Sequence, residues 1–265
     1  MEKFQIELHQ NIKKDPLNKF ISNQLTYALF PNDDAVSLSI IEGWQYQKYM
    51  FDFLEQNQID CKGKEIIDVG ANNGNFAVDF AHLVGNNGKV HSFEPQRVIY
   101  YQLCANVFLN GLTNVYCHNV AVGDTNKFVK IESPNYFEKN EPVNYGSAEI
   151  TENDGELVKC KMLDHYNFED VVFIKIDVQG YEPFVIDGAI QTINKHRPYL
   201  FVEFEDHLLR KQDSSEENLQ SKIELLDYIV KPFQPDILYN SYSGKCLDYV
   251  CIPKEKWEEF EHIIP

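Results

Sequence analysis

The segment Asp68-Val69-Gly70-Ala71-Asn72-Asn73-Gly74-Asn75 follows a β-rich run, Glu65 to Ile67, and precedes a helix-patterned run from Asn75 to Val84. Its glycines permit a tight turn with close backbone approach. The helix start behind it offers free N–H groups, so the turn can hold a ligand. A dinucleotide site requires G-x-G-x-x-G, but counting from Gly70 the second and third glycine positions are Asn72 and Asn75. The NAD fingerprint therefore fails. What survives is D-x-G-x-x-x-G, with an acid at a strand end that can meet a cationic or amino-bearing ligand. Glu94 closes the next strand-like run, in Ser92-Phe93-Glu94-Pro95, where a carboxylate accepts from two vicinal ribose hydroxyls. Two such acids flanking one cofactor suit S-adenosylmethionine.

A second constellation lies in Ile174-Lys175-Ile176-Asp177-Val178-Gln179-Gly180-Tyr181-Glu182 and in Tyr199 to Glu205. Asp177 and Glu203 end apolar, strand-like runs. Strand alternation puts Lys175 on the same side as Asp177, where its ammonium would favour the ionised carboxyl. Were such a cofactor to donate its methyl, the step would be an in-line displacement from a sulfonium, and a hydroxyl acceptor would need a base within hydrogen-bond reach. Asp177 is the first candidate and Glu203 the second, with orientation of cofactor or substrate as the alternative for Asp177 and helix capping for Glu182. His207, just beyond Glu205, titrates in the right range but is as readily a solvated loop histidine. Asp177, Glu203, Glu205 and Asp206 also offer oxygens, and His207 a ring nitrogen, to a divalent cation. No metal-ligand spacing supports that, so no metal is expected.

The elements positioning these residues follow from the hydrophobic pattern. From Lys64 the chain alternates strand-like and helical runs in βαβαβ order, which implies a parallel sheet. Helical patterns run over 98–110, 183–195 and about 215–230, and the last strands expected are Ile237–Tyr242 and Asp248–Pro253, close enough for an antiparallel pair. Between Thr125 and His165 short alternating runs broken by prolines point to a small β insertion. Residues before Gly63 are expected to form a helical cap in two pieces. The reading is one compact unit, with residues 1–62 as the cap and 63–265 as the main domain carrying the insertion at about 125–165.

Composition narrows the function. The 265 residues carry 41 acidic against 24 basic side chains, a formal charge of -17, so a nucleic-acid partner is disfavoured. No stretch approaches about 18 apolar residues and no secretory leader pattern opens the chain. A cytoplasmic protein acting on a small molecule is expected, its oligomeric state open. None of the six cysteines forms a C-x-x-C pair, and reduced thiols are expected, although Cys246 and Cys251 are near enough in sequence to bridge.

Together, Ile66–Phe76, His91–Pro95, Asn119–Asp124, Gly146–Ala148, Lys161–Asp164, Ile174–Glu182, Asp187–Ala189 and Arg197–Phe204 resemble the FkbM-type S-adenosylmethionine-dependent methyltransferases. The resemblance spans roughly Ser37 to Glu205. It implies an α/β, Rossmann-like class I methyltransferase fold: a seven-stranded, mostly parallel sheet in order 3-2-1-4-5-7-6 with helices on both faces. It also implies that Asp68, Gly70, Asn72, Gly74 and Asn75, with Ala71 among them, surround the methionine portion of the cofactor. Glu94, beside Pro95, would take the ribose hydroxyls, and Ala121 and Val122 would border the adenine. Two positions depart from the family's pattern: Gln179 stands where Glu is usual, and Gln47 where a nearby Glu is common. The acceptor implied is a carbohydrate hydroxyl, in a sugar nucleotide or a surface polysaccharide. An amine, a lipid or polyketide hydroxyl, or a non-catalytic binding role are the alternatives. Trp44, Tyr46, Tyr145, Gly146, Ser147, Gln179 and Glu182 are the candidate substrate-binding residues, with Tyr49 as either core or rim.

Overall fold

Runs rich in Ile, Val and Phe and buried on both faces build the centre of the molecule, the pattern of parallel strands covered by helices. A computed structural model describes residues 7–12, 25–30, 36–43, 45–136, 143–233 and 248–260. In chain order its first half contains β1 (Glu7–Ile12), β2 (Leu25–Leu29), α1 (Val36–Ile41), α2 (Lys48–Gln56), β3 (Glu65–Val69), α3 (Asn75–Val84), β4 (Lys89–Phe93), α4 (Arg97–Leu109) and β5 (Val115–His118). The insertion contributes β6 (Ala121–Val122), β7 (Lys127–Ile131), β8 (Ile150–Thr151) and β9 (Glu156–Lys161). The chain then forms β10 (Val171–Ile176), α5 (Glu182–Asp187), α6 (Ile190–His196), β11 (Tyr199–Glu203), α7 (Asp206–Lys211), α8 (Glu216–Glu224), β12 (Tyr228–Pro232) and β13 (Asp248–Pro253).

The central sheet runs β5-β4-β3-β10-β11-β13-β12. Numbered by chain order within this sheet, that is 3-2-1-4-5-7-6, as expected. The neighbours from β5 to β11 are parallel, and β13 lies antiparallel between β11 and β12. Alternation along the strands divides the core in two. Ile67, Val69, Ile174, Ile176, Leu200 and Val202 pack with Val185, Ile193 and Ile223 on one face. Ile66, Phe173, Phe201 and Val250 pack with Met50, Phe53, Phe76 and Phe80 on the other. After β3 the chain winds outward to β5, then returns to β10 on the opposite side of β3. The carboxyl ends of β3 and β10 therefore form a topological switch point, where open α/β sheets bind ligands.

Three expectations change. Among the described residues the N-terminal cap is helical only in α1 and α2; β1 and β2 pair antiparallel. The amides of α4 hold β2 in place: Asn106 Oδ1 accepts from Ala28 N at 2.6 Å, and Asn110 exchanges bonds with Thr26 N and O at 2.9 and 2.8 Å. The helix expected over 183–195 is two helices broken at Gly188, where a β-carbon would sit 1.9 Å from the Gly123 carbonyl oxygen. The helix expected to reach Val230 stops at Glu224, and Tyr228–Pro232 is the strand that pairs with β13. The strand expected at 237–242 and Cys246 lie outside the described residues. The β insertion forms as expected, its three strands joining β6 in the order β6-β9-β7-β8. Among the described residues no helix is long and apolar enough to cross a membrane.

Candidate active site

The loop after β3 is fixed by backbone geometry. Gly70 has φ +80°, and a β-carbon there would lie 1.8 Å from the Asp177 carbonyl oxygen, so β3 and β10 approach as only glycine permits. The Gly70 and Ala71 N–H groups both donate to Phe93 O, at 3.0 and 2.9 Å. Asn72 is left-handed at φ 48°, which turns its N–H toward Glu94 Oε2 at 3.0 Å. The loop then closes through Asn73 Oδ1, which accepts from Asn75 N at 3.1 Å, and Asn73 O, which accepts from Asn106 Nδ2 at 2.7 Å.

Glu94 sits at the end of β4, 4% exposed. Its Oε1 accepts from Gln96 N at 2.8 Å while Oε2 takes Asn72 N, so the carboxylate is held rigidly with lone pairs left on the cleft side. Burial pushes its carboxyl up to about 7 against those two backbone donors. Gln96, which no sequence signal marked, ties this end to the insertion: its Nε2 donates to Tyr145 O at 2.8 Å and its Oε1 accepts from Tyr136 Oη at 3.0 Å. Phe93, Pro95, Val120, Ala121 and Val122 make the adjoining wall apolar.

The other end of the same cleft is lined by Lys175, Asp177, Gln179, Glu203 and Glu205. Lys175 is 2% exposed; its Nζ lies 3.6 Å from both Asp68 Oδ1 and Asp177 Oδ2 and 5.1 Å from the centre of the Phe76 ring. Burial works against its ammonium, but Asp177, Asp68, Glu203 and Asp248 outweigh it and raise the pKa. Burial likewise pushes Asp68 up to about 6, opposed by Lys175. Gln179 has φ 55°, a costly conformation for a side chain of this kind. It spans two carboxyls: Nε2 donates to Asp177 Oδ1 at 3.2 Å and to Glu203 Oε2 at 3.1 Å.

Glu203 is directly opposite Asp248 in the antiparallel register, so both side chains emerge on one face of the sheet. Asp248 accepts from the Tyr49 hydroxyl and, at 3.4 and 3.5 Å, from Gln47 Nε2. Burial raises Glu203 well above the usual carboxyl range, with Asp177, Glu182, Asp248 and Glu205 adding to the rise. Burial also pushes Asp248 up to about 7.

The cleft thus brings together Gly70, Asn72, Asn75, Glu94, Pro95, Ala121, Val122, Lys175, Asp177, Gln179 and Glu203, with Tyr46 and Gly146 at its edge. Other expected residues serve differently. Ala71 is buried against Ala77, Leu103 and Val107, and Gly74, at φ +84°, abuts Leu103; both shape the loop. Asp68 lies beneath the lining, facing Lys175. Glu182 is buried with Oε1 accepting from Val178 N and Gly180 N at 2.9 and 3.2 Å, which holds the turn carrying Gln179. Tyr145 packs between Phe30 and Tyr136, and Ser147 Oγ donates to Asn144 O on the surface. His207 is exposed, with Nδ1 3.1 Å from Glu205 Oε1, and does not line the cleft. Trp44 lies outside the described residues. Among the described residues no group of His, Cys, Asp and Glu is arranged to hold a metal ion.

The sequence profile of the methyltransferase FkbM domain matches residues 68–230, more than half of the chain. This chain belongs to the FkbM methyltransferase family. Its central sheet has the strand order of the class I methyltransferase fold. No curated protein matches it in sequence. It is similar to the crystal structure of methyltransferase FkbM from Methylobacillus flagellatus, at 17% identity over 71% of this chain and 42% of that one, TM-score 0.46. It is also similar to an S-adenosylmethionine-dependent O-methyltransferase from Thermotoga maritima, at 13% identity over 78% and 66%, TM-score 0.47. A third is Aeropyrum pernix fibrillarin with natively bound S-adenosylmethionine, at 11% identity over 92% and 87%, TM-score 0.42. The chain spans less than half the length of the Methylobacillus protein and about two thirds of the Thermotoga one.

The site of this FkbM-family chain fits its cofactor. Glu94 presents acceptors for vicinal hydroxyls, Gly70 lines the cleft with bare backbone, and the acidic end accommodates a positive charge.

Proposed function

We propose that the protein O-methylates a hydroxyl of a neutral, polyhydroxylated acceptor, a carbohydrate. The carrying observation is the lining of the far end of the cleft: three carboxyl side chains and the Gln179 amide, with Lys175 the one cation lining the cleft among the described residues. Such a wall accepts hydrogen bonds from hydroxyls and repels a phosphate or carboxylate. When bound, S-adenosylmethionine supplies an electrophilic methyl on a positively charged sulfur.

The chain's own groups do the rest. Glu94 would hold the ribose, Asn72, Asn75 and Gly70 the methionine portion, and Ala121 and Val122 the adenine. Successive strands are about 4.8 Å apart, so from Glu94 on β4 to Glu203 on β11 the cleft crosses three strand spacings. Over β10 and β11, Asp177 and Gln179 would orient the acceptor hydroxyl. Asp177 is paired with the Lys175 ammonium, whereas burial raises the proton affinity of Glu203. Glu203 is therefore assigned as the base. The N-terminal segment and the insertion, which bring Tyr46 and Gly146 to the cleft edge, would select the acceptor.

A second reading, methylation of an aliphatic amine, draws on the same acidic wall, which attracts a cation. Radiolabelled methyl transfer from S-adenosylmethionine to a panel of glycosides, sugar nucleotides and amines separates the two. The expected product carries a new O–CH3 group by NMR on a sugar. Transfer confined to amines would replace the carbohydrate reading with the second.

A further inference from the structure

The cleft concentrates acid where a positive charge must bind. Around Glu203 stand Lys175 and Asp177 from β10, Asp68 from β3, Glu182 from α5, Glu205 beyond β11, Asp248 from β13, and Tyr49 and Gln47 at the start of α2. Six carboxyls face one ammonium in that set. Glu203 and Asp248 are paired across adjacent strands and half-buried. Like charges opposed on neighbouring strands and partly withdrawn from water disfavour ionisation of both without a compensating cation.

We infer, building on the role given above to Glu203, that the Glu203–Asp248 pair retains a proton in the free protein and expels it when the sulfonium charge enters the cleft, so that the methyl donor itself switches on the base. The proton balance closes over a cycle. Glu203 releases its proton to solvent on cofactor binding. It then takes the acceptor's proton as the new O–CH3 bond forms and the S–CH3 bond breaks, the electron pair remaining on sulfur. The product thioether is neutral and Glu203 is again a carboxylic acid, so the uncharged ligand and the uncharged base coincide. Gln179 fits this role as a positioning residue. Its amide donates to Asp177 and Glu203 together, which a glutamate in its place cannot do when ionised, and it adds no further charge to the pair.

The test counts protons. Isothermal titration of the full-length protein with S-adenosylmethionine and with S-adenosylhomocysteine, in buffers of different ionisation enthalpy, gives protons released per ligand bound. At pH 6.5 the amino groups of both ligands are largely protonated, so a difference between them reports the sulfonium charge. Release with S-adenosylmethionine is expected to exceed that with S-adenosylhomocysteine by close to one proton. The excess should shrink as pH rises and the pair ionises unaided. Glu203→Gln should abolish it while S-adenosylhomocysteine still binds. Asp248→Asn, which removes the neighbouring charge and lowers the proton affinity of Glu203, should reduce it, and serves as the test on its own if the first variant does not fold. Equal release by the two ligands in the wild type, or an excess untouched in both variants, overturns the inference and leaves the cofactor site standing. A folded wild type that binds neither ligand overturns the cofactor site itself and this inference with it.

Discussion

At the scale of single residues, the site depends on positions where the chemistry admits few substitutes. Gly70 combines a positive φ with a 1.8 Å approach of its virtual β-carbon to backbone, so relief requires β3 and β10 to move apart. Gly70→Ala should lower S-adenosylhomocysteine affinity at least tenfold and destabilise the fold by about 1–3 kcal/mol, as read by calorimetry and urea melts. Unchanged affinity would mean that the loop does not contact the ligand. The place of Glu94 on the cleft was legible in the sequence because the signal is local, an acid at a strand end. Gln96, two residues on, was not, because its partners Tyr136 and Tyr145 come from the insertion about 40 to 50 residues away. His207 lies off the cleft because α7 begins at Asp206 and the next side chain is exposed. Glu182 sits beside the motif but spends its carboxylate on the backbone of the Gln179 turn.

At the scale of elements, helix α4 acts as the clamp between the N-terminal segment and the cofactor loop. Asn106 accepts from Ala28 N on β2 and donates to Asn73 O in the loop, and it is fully buried. Asn106→Ala leaves both backbone groups unpaired, at a cost of about 1–3 kcal/mol for each buried orphan. Reduced stability together with weaker cofactor binding is expected, since the loop loses a tether; a loss of stability alone would uncouple the clamp from the site. The parallel core was readable from its strand–helix alternation, and α3 matches its expected span. The end of α8 was not readable from periodicity. Leu219, Ile223, Leu226 and Val230 continue a helical spacing past Glu224, yet Asp227 adopts φ 59° and the β-branched pair Ile229-Val230 joins β13. Pairing with a strand about 20 residues downstream overrode the local pattern.

At the scale of the whole molecule, the acids that make the site set its response to pH. Burial pushes Glu94, Glu182 and Asp248 up to about 7 and Asp68 up to about 6. In the unfolded chain these groups release their protons near about 4, so between about pH 4 and 7 the folded state binds more protons. Their contribution to stability is complete below the unfolded values and is lost as pH rises through the folded ones. The formal charge of -17 adds self-repulsion at the alkaline end. Urea melts of the ligand-free protein should therefore show lower stability at pH 8 than at pH 5.5, by more than about 1 kcal/mol, and Glu94→Gln should flatten the slope. Stability that rises over this range would contradict the protonated, buried state of these carboxyls.

The proposed function gives the cleft a direction, with the ribose at Glu94 on β4 and the reacting end over β10 and β11. A crystal structure with S-adenosylhomocysteine tests it most directly. Both ribose hydroxyls are expected on the Glu94 carboxylate, adenine against Ala121 and Val122, and the sulfur turned toward Asp177 and Glu203. Ribose or adenine seated instead among Lys175, Gln179 and Glu203, or a ligand bound outside this cleft, would contradict it.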